Sequence, residues 1–357
     1  MASTHEFRPD WASAPGDTIA DILTERQVSL NEFAKRIEQS PEYANDLVQG
    51  RATITLGVAR RLEQVLGASV EFWVSRDFQY REDVVRFSAA DKEWLDELPI
   101  GDMIKFGWLK PTPCPSEELA ACLRFFDVPS VPVWRQTYAN LQTLVAFRIS
   151  PSLDSRPAAF AAWLRQGEIQ GEAIECSPWH PARFRESLTR IRNLTRERDP
   201  KRFIPRLQEL CASSGVAVAI VRTPNGCPAS GATRFLSPSK ALLLLSFRYL
   251  SDDQFWFSFF HEAGHLLLHG AQGLFLESDD TPATKQEQEA SDFAEGVLVS
   301  PQFREALLRL SLNGREVIRF AHRAGISPGI VVGQLQHHGK FTYRQLNNLK
   351  RRFRWEE

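Results

Sequence analysis

From residue 17 to residue 82 apolar positions recur every three or four residues, in short runs that stop and restart. Each restart has a small oxygen-bearing side chain in front of it. Asp17 precedes TIADILTER, Ser29 precedes LNEFAKRI, and Ser40-Pro41 opens EYANDLVQ. Thr55 precedes LGVARRLEQVL and Ser69 opens VEFWVSRDFQYRE. Such residues accept hydrogen bonds from the free amides of a first helical turn, and proline fits the first helical position. Gly50 and Gly67 supply stops. The pattern predicts five short helices packed as an all-α module.

Downstream the pattern is less regular. PTPCPSEE (111–118) is a proline-rich break before a helix near 116–126, and VPSVPVW (128–134) reads as extended. Helices are expected at 155–167, at 181–198 with a basic face, and at 201–214. GVAVAIV (215–221) reads as a buried strand, and ALLLLSF (241–247), an unbroken apolar run, as a central one. A helix over about 252–269 follows, then an acidic loop, ESDDTPATKQE (277–287). Helices return near 286–299, 302–310, 314–324 and 328–337, before a basic stretch, RQLNNLKRRFRW. The whole reads as α+β, mostly α: a helical module at 1–84, a mainly helical linker or regulatory region at 85–200, and a domain with a small sheet at 201–357.

Composition narrows the classes. The chain has 357 residues, 43 % of them hydrophobic and nine of them tryptophan, enough for real cores. Net charge is −1, so any nucleic-acid surface is local. The five cysteines form no CxxC pair, which suits a reducing compartment. MASTHEFRPDW is no secretion signal, and no apolar stretch reaches a membrane span. A cytoplasmic protein is expected.

The chemistry concentrates in FSFFHEAGHLLLHG (257–270). His261 and His265 lie one turn apart on one helix face, where two imidazoles can bind one Zn²⁺. Glu262 is rotated about 100° from His261, placed to act as a general base on water. Gly264 leaves room beside the ligands for substrate or another strand. His269 lies about 12 Å along the axis from His261 and reads as a helix-end histidine. A third ligand is sought in KQEQEASDFAEGVLVSP (285–301). Glu287 shares the inward face there and is favoured over Glu289, a solvated side chain by this reading, and over Asp292.

The stretches GATRFLSPSKALLLLSFRYLSDDQFWFSFFHEAGHLLLHG, EQEASDFAEGVLVSP and ISPGIVVGQLQHHG resemble the ImmA/IrrE family of zinc metallopeptidases, over roughly 200–355. The resemblance implies a zincin-like fold with zinc held by His261, His265 and Glu287, and Glu262 as catalytic base. It implies a protein substrate, a repressor or antitoxin, in stress, phage or mobile-element control. Ser291 departs from the family, which usually has Asn or Asp there. Cys227, in TPNGCPASGATR, could close the fourth zinc position as an inhibitory thiolate; the alternative is an inert loop thiol. Tyr249, Tyr343 and His322 are candidates for stabilising an oxyanion.

PGDTIADIL, LNEFAKRI, the turn at 38–41 and ITLGVARRLEQVLGASVEFWV, with Gln79-Tyr80, resemble the helix-turn-helix (HTH) of HigA-type antitoxins in the XRE group. The resemblance puts the third helix in the major groove, offering Ser40, Glu42, Tyr43, Asn45 and Asp46, with Gln49 and Arg51 beside the backbone. Glu42 and Asp46 oppose phosphate, so a module that dimerises or recognises protein is the competing reading. HTH modules commonly form homodimers to match paired half-sites. Three functions compete: a regulator that cleaves a partner, a non-catalytic transcription factor with a structural or sensing zinc domain, and an antitoxin binding its toxin through 85–200.

Overall fold

The computed structural model describes residues 14–112, 115–138, 156–270, 275–277 and 284–355, without the side chains of 79, 81–90 and 275–277. Cys114, the Gln79 side chain and most of the acidic loop lie outside them. The chain divides into two compact units. The first is the chain up to Asp96 with Thr112–Ala120 and Pro129–Val131; the second is Glu97–Pro111, Ala121–Val128 and the chain from Pro132 onward.

The first unit opens with five helices: α1 (Pro15–Glu25), α2 (Leu30–Arg36), α3 (Pro41–Val48), α4 (Leu56–Leu66) and α5 (Val70–Glu97). Ser29, Ser40 and Thr55 cap α2, α3 and α4 through their side-chain oxygens. Asp17 is not the cap expected of it. The first helix starts at Pro15, and the Asp17 carboxylate reaches back to the amide of Ala14. The fifth helix is also longer than its short apolar pattern implied, at 28 residues. Ile19, Phe33, Ala44, Leu47, Leu62 and Trp73 close one core. Arg61 donates to the carbonyls of Ile37 and Glu38 and so ties α4 to the turn between α2 and α3.

The second unit is built on a four-stranded sheet in the order β1-β3-β2-β4. Its strands are β1 (Val216–Ile220), β2 (Gly231–Ser237), β3 (Lys240–Leu245) and β4 (Phe275–Glu277). β3 runs parallel to β1 and antiparallel to β2, and β4 pairs antiparallel with β2. The run of leucines in β3 is explained by burial on both faces. Ala241, Leu243 and Leu245 join the core that holds Trp256, Phe259 and Phe260. Leu242 and Leu244 meet the other side, where helix Pro157–Ala173 lies so close that a Cβ on Gly167 would fall 2.5 Å from Leu244 and one on Gly171 2.8 Å from Leu242. β2 and β4 were not legible in the apolar pattern, and residues 131–138 are helical rather than extended.

A central helix, Asp252–Leu268, packs against β2, β3 and β4 and along the acidic helix Lys285–Leu298. Its first turn is buried and carries Asp252 and Asp253. Both carboxylates are answered by distant chain. Asp252 accepts from Ser327 Oγ at 2.7 Å and from the Arg351 amide at 2.9 Å, and Asp253 pairs with Lys350 Nζ at 2.6 Å. Burial still holds the Asp252 carboxyl above its ordinary range, against the hydrogen bonds from Ser327 and Arg351. Phe353 packs on Phe203 and Phe247, fixing the segment that delivers Lys350 and Arg351.

Candidate metal centre

His261 and His265 point from one face of the central helix, as their four-residue spacing requires. The acidic helix crosses that face with its first turn, where the Glu287 amide is capped by Thr284 Oγ1. Crossing is tight because Gly264 has no side chain: a Cβ there would stand 3.2 Å from Ala290 Cα and 3.1 Å from Phe293. Gly264 therefore admits the acidic helix, not the substrate or strand that the sequence suggested.

The close crossing brings the Glu287 carboxylate to His261 Nε2 at 3.1 Å and to His265 Nε2 at 3.3 Å, with the two Nε2 atoms 3.0 Å apart. All three side chains are buried, and among the described residues they form the one cluster of His, Cys, Asp or Glu suited to a metal ion. Tetrahedral zinc with bonds of about 2.0–2.1 Å sets its ligand atoms roughly 3.3 Å apart. The donor triangle fits that ion in size and in chemistry. Two imidazole nitrogens facing each other beside a carboxylate, away from water, form a lone-pair cluster that a cation would complete. Burial alone would raise the Glu287 carboxyl, but the two imidazoles against it outweigh burial and hold it at about 2. Burial also lowers the His265 imidazole below its ordinary value, with Glu287 opposing.

Glu262 is fully buried beside this cluster. It lies against the start of β2, where a Cβ on Gly231 would fall 2.7 Å from both its Cγ and its Oε1. Behind the ligands, Ser291 Oγ is 3.3 Å from His261 Nδ1, so the residue that departs from the family still reaches the ring. Glu289 is not simply solvated, and His269 does more than end the helix. His269 Nε2 lies 3.0 Å from Glu289 Oε2, and its Nδ1 lies 3.1 Å from His265 Nδ1. The hydrogen bond from His269, with Lys285 nearby, holds the Glu289 carboxyl below its usual range.

Residues 217–335 match the family described as IrrE N-terminal-like domain, Peptidase_M78. The N-terminal part is 41 % identical, over 61 residues, to the uncharacterized HTH-type transcriptional regulator YddM of Escherichia coli strain K12. That alignment covers 17 % of this chain and 65 % of the relative, so the chain spans just under two thirds of the regulator's length. This chain joins a helix-turn-helix module to an IrrE-like domain.

In the IrrE-like domain Cys227 is not one of the clustered donors. It is buried, and burial pushes its thiol up to about 12. Tyr249 lines a small pocket with Ser230, which precedes Gly231, and Ser258, one turn before Glu262. Tyr343 and His322 are exposed.

In the helix-turn-helix module Ser40, Glu42, Tyr43, Asn45, Gln49 and Arg51 gather on and around α3, and several are tied to one another. Tyr43 donates to the Thr53 carbonyl at 2.9 Å, Gln49 donates to Asn45 at 3.3 Å, and Arg51 pairs with Asp46 and Gln49. Glu42 is exposed, and its own backbone amide and then Ser40 hold its carboxyl below the ordinary value. Among the described residues of the whole chain, no helix is long and apolar enough to cross a membrane.

Proposed function

We propose that this chain is a zinc-dependent endopeptidase that regulates transcription in the cytoplasm by cutting a partner protein, a repressor or antitoxin. The observation that carries the reading is the buried triangle of His261, His265 and Glu287 with Glu262 at its side. In this reading those three residues hold the ion. Bound zinc supplies Lewis acidity, which polarises a carbonyl and makes water acidic enough to react near neutral pH. Glu262 takes the proton of the attacking water on its carboxylate and passes it to the leaving amine. Phe257 sets an apolar ring beside the centre, its centroid 6.1 Å from that of His261. A structural zinc site closes the metal with four protein ligands and has no use for a buried carboxylate such as Glu262; the three ligands clustered among the described residues favour catalysis over the non-catalytic alternative. The helix-turn-helix module would bring the chain to an operator, with α3 presented to DNA.

Metal content of the purified protein tests the centre. About one zinc per chain is expected, lost in His261→Ala. Protein purified without chelator and free of zinc would sink the reading. With candidate repressors incubated alongside, Glu262→Gln should keep the metal and lose about 10²–10⁴-fold in cleavage rate.

A further inference from the structure

The Nδ1 atoms of His265 and His269 are 3.1 Å apart, a separation that needs one hydrogen between them. His265 turns Nε2 to the donor triangle, where a bound metal would take the lone pair and leave the hydrogen of the ring to Nδ1. His265 Nδ1–H then donates and His269 Nδ1 accepts. His269 keeps its own hydrogen on Nε2 and donates it to Glu289 Oε2 at 3.0 Å. A single proton ordering satisfies the whole line.

Burial is graded along it. The His269 side chain is 6 % exposed, and that of Glu289 is 44 % exposed. The imidazole is sealed where it meets the ligand, while the carboxylate stays charged in water, steered by Lys285 at 3.6 Å. Glu287 and Glu289 thus divide the work of one helix turn, the first joining the donor triangle and the second anchoring the ring behind it.

We propose that His269, anchored by Glu289, is a positioning residue for His265: it fixes which ring nitrogen bears hydrogen and the angle at which Nε2 meets the metal. The inference rests on the reading of His261, His265 and Glu287 as a metal site. Outer partners of this kind typically contribute 10–100-fold in metal affinity.

The test uses the full chain and two readouts besides activity: zinc affinity by competition with a chromophoric chelator, and the visible absorption of the Co²⁺-substituted protein. His269→Phe fills the space without an acceptor and should weaken zinc about 10–100-fold and shift the Co²⁺ bands. His269→Asn puts an amide oxygen near the position of Nδ1 and should recover most of the loss. Glu289→Ala should weaken zinc more than Glu289→Gln, which keeps an acceptor; these surface variants carry the test if His269→Phe does not fold. Unchanged affinity and spectrum in His269→Phe overturn the proposal while leaving the metal site intact. Equal losses in the Phe and Asn variants also overturn it, because packing alone would explain them. A wild-type chain that holds no zinc overturns the proposal and the metal-site reading together.

Discussion

A methyl group on Gly231 would sit 2.7 Å from both Cγ and Oε1 of Glu262, closer than any relaxed side chain tolerates. Gly231→Ala should therefore move the glutamate and leave the ligands in place. Zinc content is expected to stay near wild type while turnover of a cleaved partner falls, and overpacking should cost about 1–3 kcal/mol by urea denaturation. Cys227 gives a second expectation. With its thiol raised to about 12, iodoacetamide at pH 8 should label it slowly in the native chain and quickly in denaturant, read by mass spectrometry. The sign of its linkage follows. Folding favours the protonated thiol, so its contribution to stability is full below the ordinary thiol pKa near 9 and is lost as pH rises towards 12. At this scale His261, Glu262 and His265 were legible because one helix period relates them, and Glu287 because a second period marks an inward face. The pairing of His269 with Glu289 was not. It depends on how two helices cross, which neither period encodes.

Among the elements, the glycine face of helix Pro157–Ala173 lets it approach the sheet closely at Leu242 and Leu244. Gly167→Leu would push into Leu244 and should cost about 1–3 kcal/mol or more, with the thermal midpoint lowered, although residue 167 lies far from the centre in sequence. The helix itself was legible; its partner was not, since small residues announce close approach without naming what approaches. β2 was missed for a related reason. GATRFLS has a glycine at its head because Glu262 needs the room, and that weakens its strand signal. The N-caps of α2, α3 and α4 were legible because capping is local. For α3, Glu42→Gln with Asp46→Asn should raise affinity for operator DNA a few-fold in a gel-shift titration and flatten no protein–protein binding curve, since the change removes charge that opposes phosphate. Unchanged DNA affinity would favour a module that reads protein.

For the whole molecule, the family match ends at residue 335, yet the central helix inside it is held by Lys350, Arg351 and Phe353. Lys350→Ala would strand the buried Asp253 carboxylate and should cost about 3–5 kcal/mol, whereas Lys350→Met with Asp253→Asn should cost much less. Urea midpoints of the three proteins check this. The near-zero net charge gave no hint of these buried pairs, because a sum over the chain cannot show where opposite charges meet.

The same lock has a consequence for synthesis. Asp252 and the Arg351 amide that answers it are 99 residues apart. At about 5–20 residues per second a ribosome takes roughly 5–20 s to cover that distance. Until Ser327 is made Asp252 has neither of its hydrogen-bond donors, and through the rest of that interval it lacks the Arg351 amide, as Asp253 lacks Lys350. The helix that carries His261, Glu262 and His265 is thus locked late, after the N-terminal module has had time to fold, and a chain stalled before Lys350 would leave the ribosome with that helix unsecured.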